Sequence, residues 1–365
     1  MLHFFSCFIF QINLNTIYID YFMTLNKSQE KLLNLLEYHH KNQKNRLYHA
    51  GPYWNYKTKK ILYWLKRIGI NNFRGLNSGV GTSYTDSIVK DVRYEFGVKG
   101  RIASLFFSIP ILSKIFNLQI NLTHSHILKN IYLHNKILKN SERIKLLISK
   151  YKIENSTSFD CVDKVKIENK EYSTQYLSFV DRLENLSTVF DFKKINSIIE
   201  IGGGYGANIH LLLQNFKNIR KIIYVDIFPN IFIGTEYLRF HFGNAVKDYS
   251  MFKDLDEIKF TENNDLEIIC IPNWSLKKVK SKVDKFHNCA SFQEMTIEQV
   301  ENYKLLITKI LNKNLISLLF YKGWKDNNTL SPDSVNNIFN KSLKMKEFTD
   351  IAGSDSVDLV YLTSI

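Results

Sequence analysis

SIIEIGGGYGANIHLLLQNFKNIRKIIYVD, Ser197 to Asp226, is the stretch on which the reading of this chain turns. Ile198, Ile199 and Ile201 around Glu200 form a short, β-branched apolar run. A strand buried on both faces of a parallel sheet presents such a run. Gly202, Gly203, Gly204, Tyr205 and Gly206 follow, and then an amphipathic pattern with Ile209, Leu212, Leu213 and Phe216 on one helical face. A second apolar run, Ile222 to Val225, ends in Asp226. The stretch predicts a β-α-β unit with a glycine-rich first turn and an acid closing its second strand.

That arrangement suits a nucleotide. Glycines let a ligand approach bare backbone, and the helix behind them directs its first N–H groups forward. An acid at the tip of the second strand, roughly 20 residues on, can accept the hydroxyls of a ribose. Two cofactor chemistries use the design. Glu200-x-Gly202-x-Gly204-x-Gly206 matches the E/D-x-G-x-G-x-G loop of S-adenosylmethionine (SAM) methyltransferases. Gly202-x-Gly204-x-x-Ala207 also matches the dinucleotide fingerprint, so the spacing leaves both open.

The chain has 365 residues, enough for two domains and a sizeable core. With 45% hydrophobic and 14% aromatic residues it is globular rather than disordered. The net charge of +14 comes from lysines spread along the whole chain, without a compact arginine-rich block. It therefore reads as composition, and no nucleic-acid partner is expected. Cys7, Cys161, Cys270 and Cys289 are far apart and lack zinc spacing, which fits a reducing, cytoplasmic setting and no metal. Leu2 to Phe10 is apolar but too short to span a bilayer, so no stable membrane insertion is expected. Residues 1–23 read as a poorly structured extension, with Met23 as an alternative start.

Residues 24–190 carry helical periodicity and predict a helical N-terminal domain, a lid or acceptor-binding part. Leu32, Leu33, Leu35 and Leu36 mark one helix; Ile61, Trp64, Leu65 and Ile68 mark the next. Between them, Gly51-Pro52-Tyr53-Trp54-Asn55-Tyr56 is an aromatic turn that suits the apolar face of a sugar or plain core packing. The loop at 77–86, NSGVGTSYTD, fits a helix entry or an acceptor-site wall. Helices continue through 101–153, with Ile127, Ile131, His134 and Leu138 on one stripe. His124 and His126 face apart on a helix and make a poor metal pair, and the adjacent His39 and His40 do no better. Residues 154–173 are polar and read as a hinge or flap, and Tyr176 to Phe192 is a last helix before the organising strand.

Residues 191–365 continue the α/β alternation. A helix starts at Pro229. Strands are expected at 266–271, 283–290 and 315–321. Thr296 and Gln299 form a capping box opening a helix. Two closing strands, 343–348 and 357–364, flank Ala352-Gly353-Ser354. The fold class is α/β: a Rossmann-like, seven-stranded domain after a mainly helical N-terminal domain.

Five β/α units and a closing strand pair resemble the class I SAM-dependent methyltransferase fold, in which one strand runs antiparallel in an otherwise parallel sheet. Two segments are more specific. IIEIGGGYG (Ile198 to Gly206) with YVD (Tyr224 to Asp226), and DKFHNCASFQEM (Asp284 to Met295), are similar to the sugar O-methyltransferase family of bacterial surface-polysaccharide clusters. His287 and Cys289 make this version of the second segment more polar than usual.

The resemblance implies that Gly202, Gly203, Gly204 and Gly206 cradle the methionine end of SAM and that Glu200 orients the loop or meets the amino group. It places Asp226 on the ribose, Pro272 and Asn273 near the adenine, and Ser291 to Glu294 beside the methyl-transfer centre. The acceptor would be a sugar, nucleotide sugar or glycan hydroxyl. Glu294 is the first candidate for a general base, with a structural carboxylate as the plainer reading; His287 is the second, sitting mid-strand where a core role is the plainer one. A nicotinamide-dependent oxidoreductase using the same glycines and a nucleic-acid methyltransferase are the competing readings. Against the latter, the fourth strand ends in Asn288-Cys289-Ala290-Ser291 and not in N/D-P-P-Y/F.

Overall fold

The computed structural model of the chain describes residues 25–71, 73–74, 141–159, 161, 164–321, 330–348 and 357–362. Residues 1–23, the loop at 77–86, the stripe at 127–138, His124 and His126, and Ala352 to Ser354 lie outside the described residues.

Two helices open the described chain. α1 (Lys27–Lys41) starts at a capping box in which Asn26 and Gln29 each accept from the other's backbone N–H. α2 (Pro52–Ile68) follows, with proline in the first turn where no N–H partner is needed. α3 is Ser141–Lys150. The polar stretch read as a hinge or flap contains a hairpin, β1 (Lys164–Ile167) and β2 (Lys170–Ser173). α4 (Thr174–Ser187) then leads to the main sheet.

That sheet contains β3 (Ser197–Ile201), β4 (Lys221–Asp226), β5 (Val246–Lys247), β6 (Glu267–Pro272), β7 (Val283–Cys289), β8 (Leu311–Tyr321), β9 (Lys344–Phe348) and β10 (Val357–Leu362). Their order is β5-β6-β4-β3-β7-β8-β10-β9. β10 runs antiparallel to both its neighbours, and the remaining pairs are parallel. The seven expected strands are present in a Rossmann-like α/β sheet, preceded by a helical segment. An eighth, β5, adds two residues at the edge beside β6; at that length it leaves no period-2 signal to read. α5 (Ala207–Asn215), α6 (Asn230–Phe242), α7 (Ile297–Ile310) and α8 (Pro332–Ile338) complete the alternation. The Thr296–Gln299 capping box forms with both reciprocal bonds, and Pro229 stands at the N-cap of α6.

Each face of the sheet has its own apolar layer. Ile199, Ile201, Ile223, Val225, Ile269, Phe286 and Ile316 pack under Val300, Tyr303 and Ile307 of α7. The opposite face, with Ile198, Ile222, Tyr224, Ile268 and Leu319, shares a core with α4, α5, α6 and with Leu32, Leu33, Leu36, Ile61 and Leu65 of α1 and α2. The described helices of the front half thus pack on the sheet through one continuous core. No helix among the described residues is long and apolar enough to cross a membrane.

α6 approaches β4 closely at Gly234, where an added Cβ would collide with the ring and hydroxyl of Tyr224. Tyr224 in turn donates its hydroxyl to the carbonyl of Gly204 in the glycine turn. Gly234→Ala therefore has to move Tyr224 or the helix. A stability loss of about 1–3 kcal/mol is expected, read as a lower denaturant midpoint at unchanged slope.

Candidate active site

One cavity of about 230 Å³ opens at the carboxyl ends of β3, β4, β6 and β7. Ligands of open α/β sheets sit at that edge. Glu200, Gly202, Gly203, Gly204, Asp226, Asn273, His287, Ser291 and Glu294 all line it. Of the residues singled out in the sequence, Gly206, Pro272, Phe292 and Gln293 are outside the lining; Gly206 caps α5 in a left-handed conformation.

The glycine turn is tied down by its own backbone. Gly202 N–H donates to Val225 O (2.8 Å), Gly204 N–H to Asp226 Oδ2 (2.8 Å) and Gly206 N–H to Gly203 O (3.0 Å). Gly202 has φ +73°, and a Cβ there would run into the Ser291 side chain, so this position admits only glycine. Ser291 is fixed from below: Asn288 Nδ2 donates both to Ser291 Oγ (2.5 Å) and to Ile201 O (2.8 Å). The turn that presents Ser291 passes through Ala290 at φ +63°.

Three buried acceptors stand on adjacent strands. Glu200 on β3 accepts from Asn208 Nδ2 through Oε1 (3.0 Å), while its buried Oε2 has no hydrogen-bond partner. Asp226 at the tip of β4 accepts from Gly204 N and, through Oδ1, from Ile227 N (2.7 Å). Asn273 just past β6 donates its amide to Tyr48 O (3.0 Å) and Tyr303 Oη (3.1 Å), leaving its buried Oδ1 unpartnered.

The other wall comes from the front half. Trp54 on α2 donates its indole N–H to Glu294 Oε2 (2.6 Å). Gln299, held in its capping box, donates to His49 O (2.8 Å). Phe179, Arg182 and Leu186 reach the cavity from one face of α4. His287 lines the cavity as well as sitting mid-strand; its Nδ1 bonds Ser317 Oγ (2.7 Å) and its Nε2 lies 3.9 Å from Glu200 Oε1. His39 and His40 instead pack beside Tyr249, Phe228 and Trp274. Among the described residues no group of His, Cys, Asp and Glu is placed to hold a metal.

Asn208 and Arg182 line the cavity but are not legible in the sequence as site residues, nor is Ser317, the partner of His287. Arg182 alone left a trace, a charge at the i+3 position of the apolar Phe179/Leu186 face.

No family model and no curated protein matches this chain. Solved structures that are similar include the mitomycin 7-O-methyltransferase MmcR, at 10% identity, 52% of this chain, 55% of that chain and a TM-score of 0.34. The pyocyanin biosynthetic protein PhzM gives 9%, 52%, 56% and 0.35. Magnesium protoporphyrin IX methyltransferase from Synechocystis, solved with bound SAM, gives 8%, 52%, 80% and 0.34. The matched stretch spans little more than half of the first two chains.

Burial pushes both the Glu200 and the Asp226 carboxyls up to about 7; for Glu200 the Asn208 bond opposes this, and for Asp226 the Gly204 and Ile227 N–H groups do. The folded protein thus holds these protons more tightly than the unfolded chain. Their contribution to stability is fully present below about pH 4, is lost as pH rises from there to about 7, and is absent above. Glu200→Gln removes one of the two groups. In ligand-free protein its unfolding free energy should fall less between acid and neutral pH, by on the order of 1–3 kcal/mol, in denaturant titrations across that range.

Proposed function

We propose that this chain is a SAM-dependent O-methyltransferase acting on a sugar hydroxyl. The observation that carries the reading is the row of buried acceptors Glu200, Asp226 and Asn273 on β3, β4 and β6. Adjacent strands are about 4.8 Å apart, so the row spans roughly 10 Å. SAM offers a matching row of donors: an aminoacyl ammonium, a ribose diol and an adenine amino group. In this reading Glu200 meets the ammonium, Asp226 the ribose and Asn273 Oδ1 the adenine, with Gly202, Gly203, Gly204 and Ser291 shaping the floor. SAM supplies an electrophilic methyl group.

A nicotinamide dinucleotide fits less well. Its pyrophosphate needs free N–H groups over the glycine turn. Here the N–H groups of Gly202, Gly204 and Gly206 are already used within the protein, and a buried carboxylate lies beneath them. The turn is built for a cation.

Support for a sugar comes from the opposite wall. Trp54 offers an aromatic surface, and Glu294, held by its indole N–H, offers a carboxylate to acceptor hydroxyls. The front half, residues 24–190, would act as the lid and acceptor side of a methyltransferase domain at 191–365. Glu294 would orient the hydroxyl, and His287 would face its proton. Holding oxygen, methyl carbon and sulfur in line is the main task.

Calorimetric titration with S-adenosylhomocysteine (SAH), with NADH as control, tests the reading. SAH should bind and NADH should not; the reverse result establishes an oxidoreductase. Asp226→Ala should weaken SAH binding by about 1–3 kcal/mol through lost charge-assisted hydrogen bonds.

A further inference from the structure

We propose that His287, Ser317 and Lys285 form a proton relay that carries the acceptor's hydroxyl proton out of the cavity and into the sheet. The proposal rests on the methyltransferase reading above. The three side chains lie on one face of β7 and β8, in the layer that holds Ile198 and Leu319. Lys285 is 1% exposed. Its ammonium meets Ser317 Oγ, the Phe286 carbonyl (3.4 Å) and the ring face of Phe190 (4.6 Å). Ser317 Oγ also bonds His287 Nδ1 (2.7 Å), and the other ring nitrogen points towards Glu200 on the cavity wall. One hydroxyl therefore bridges the lysine and the histidine.

A serine hydroxyl has one hydrogen, and that fixes the logic. When Lys285 is charged it donates to Ser317, Ser317 donates to His287 Nδ1, and Nε2 carries the ring proton. When Lys285 is neutral, Ser317 donates to the amine and Nδ1–H donates to Ser317. Nε2 is then a free base on the cavity side. Lysine charge thus selects the histidine tautomer.

During transfer the acceptor O–H bond breaks, an O–C bond forms and the S–C bond of the donor breaks. The hydroxyl proton enters at His287 Nε2, Nδ1 passes its proton to Ser317, and Ser317 passes its own to Lys285. The end state is the charged-lysine arrangement just described, so every proton is accounted for. The sulfonium charge disappears as the ammonium charge appears, and the buried region keeps its net charge.

The surroundings favour this division of labour. Glu200 faces the pair from β3, Arg182 from α4, and Ser317 is the polar group supplied by β8. Burial pushes Lys285 down to about 7, with Glu200 pulling the other way. Burial first, then Lys285 and Arg182, hold His287 well below the usual imidazole range. The histidine passes the proton on; the lysine keeps it.

Titrations of the protein with SAM and with SAH near neutral pH, each in two buffers of different ionisation enthalpy, count the protons released on binding. The two ligands share their ammonium and differ in the sulfonium, whose charge acts on Glu200 and Asp226 as well as on Lys285, so the lysine's share is the part that Lys285→Met removes. SAM should release on the order of 0.5 proton more than SAH, and Lys285→Met should shrink that difference while binding both. Equal release, or a difference undiminished in Lys285→Met, overturns the relay alone. Binding of neither ligand by the wild type overturns the methyltransferase reading with it. Ser317→Ala keeps the lysine and cuts the chain: kcat should fall on the order of 10-fold or more at unchanged KM for SAM, with recovery in Ser317→Thr. Wild-type kcat in Ser317→Ala overturns the relay even where Lys285→Met does not fold.

Discussion

β4 holds residue Gly204 by both its N–H and its carbonyl. Asp226 accepts its N–H, and Tyr224 donates to its carbonyl. These two side chains are two apart on one strand, so they lie on the same side of the sheet. Their grip fixes the turn that separates β3 from α5. It also requires α6 to approach without a side chain at Gly234, because the Tyr224 ring occupies that space. Strand, turn and helix are thereby set by one short segment of β4, and the cavity floor inherits its shape.

The same grip explains how much of the molecule the sequence discloses. Residues 197–226 are legible because the fold of that unit is local: apolar runs, glycines and Asp226 stand within one β-α-β step. The capping box at Thr296 is local too. The other wall is not. Asn273 reaches Tyr48, Glu294 reaches Trp54 and Gln299 reaches His49, each across more than half the chain. Nothing in the pattern near residue 50 announces those partners, and the plainer reading of the aromatic turn there is core packing. Lys285 was hidden for a different reason. A lysine between Asp284 and Phe286 looks like an outward residue of a half-exposed strand, whereas β7 lies between β3 and β8 and α4 covers that face.

Those long-range bonds also give the front half its place. Backbone carbonyls of Tyr48 and His49 are acceptors for side chains that belong to the cavity, so the segment before α2 cannot leave without exposing their unpaired donors. Asn273 uses its amide on this segment and keeps its oxygen for the cavity. A ligand that engages that oxygen would orient the same amide more firmly towards Tyr48.

The treatment of lysines in the sheet separates a structural charge from a chemical one. Lys221 and Lys313, near the strand ends, are each met by a carboxylate, Glu267 at 3.0 Å and Asp284 at 3.2 Å. Lys285 is more deeply buried than either, and is met instead by a hydroxyl, a carbonyl and an aromatic ring. None of these repays the desolvation of an ammonium as a carboxylate would. The environment thus keeps the neutral amine within reach. A side chain left able to change charge, joined through one hydroxyl to a histidine on the cavity wall, has the properties of a proton acceptor and lacks those of a structural strut.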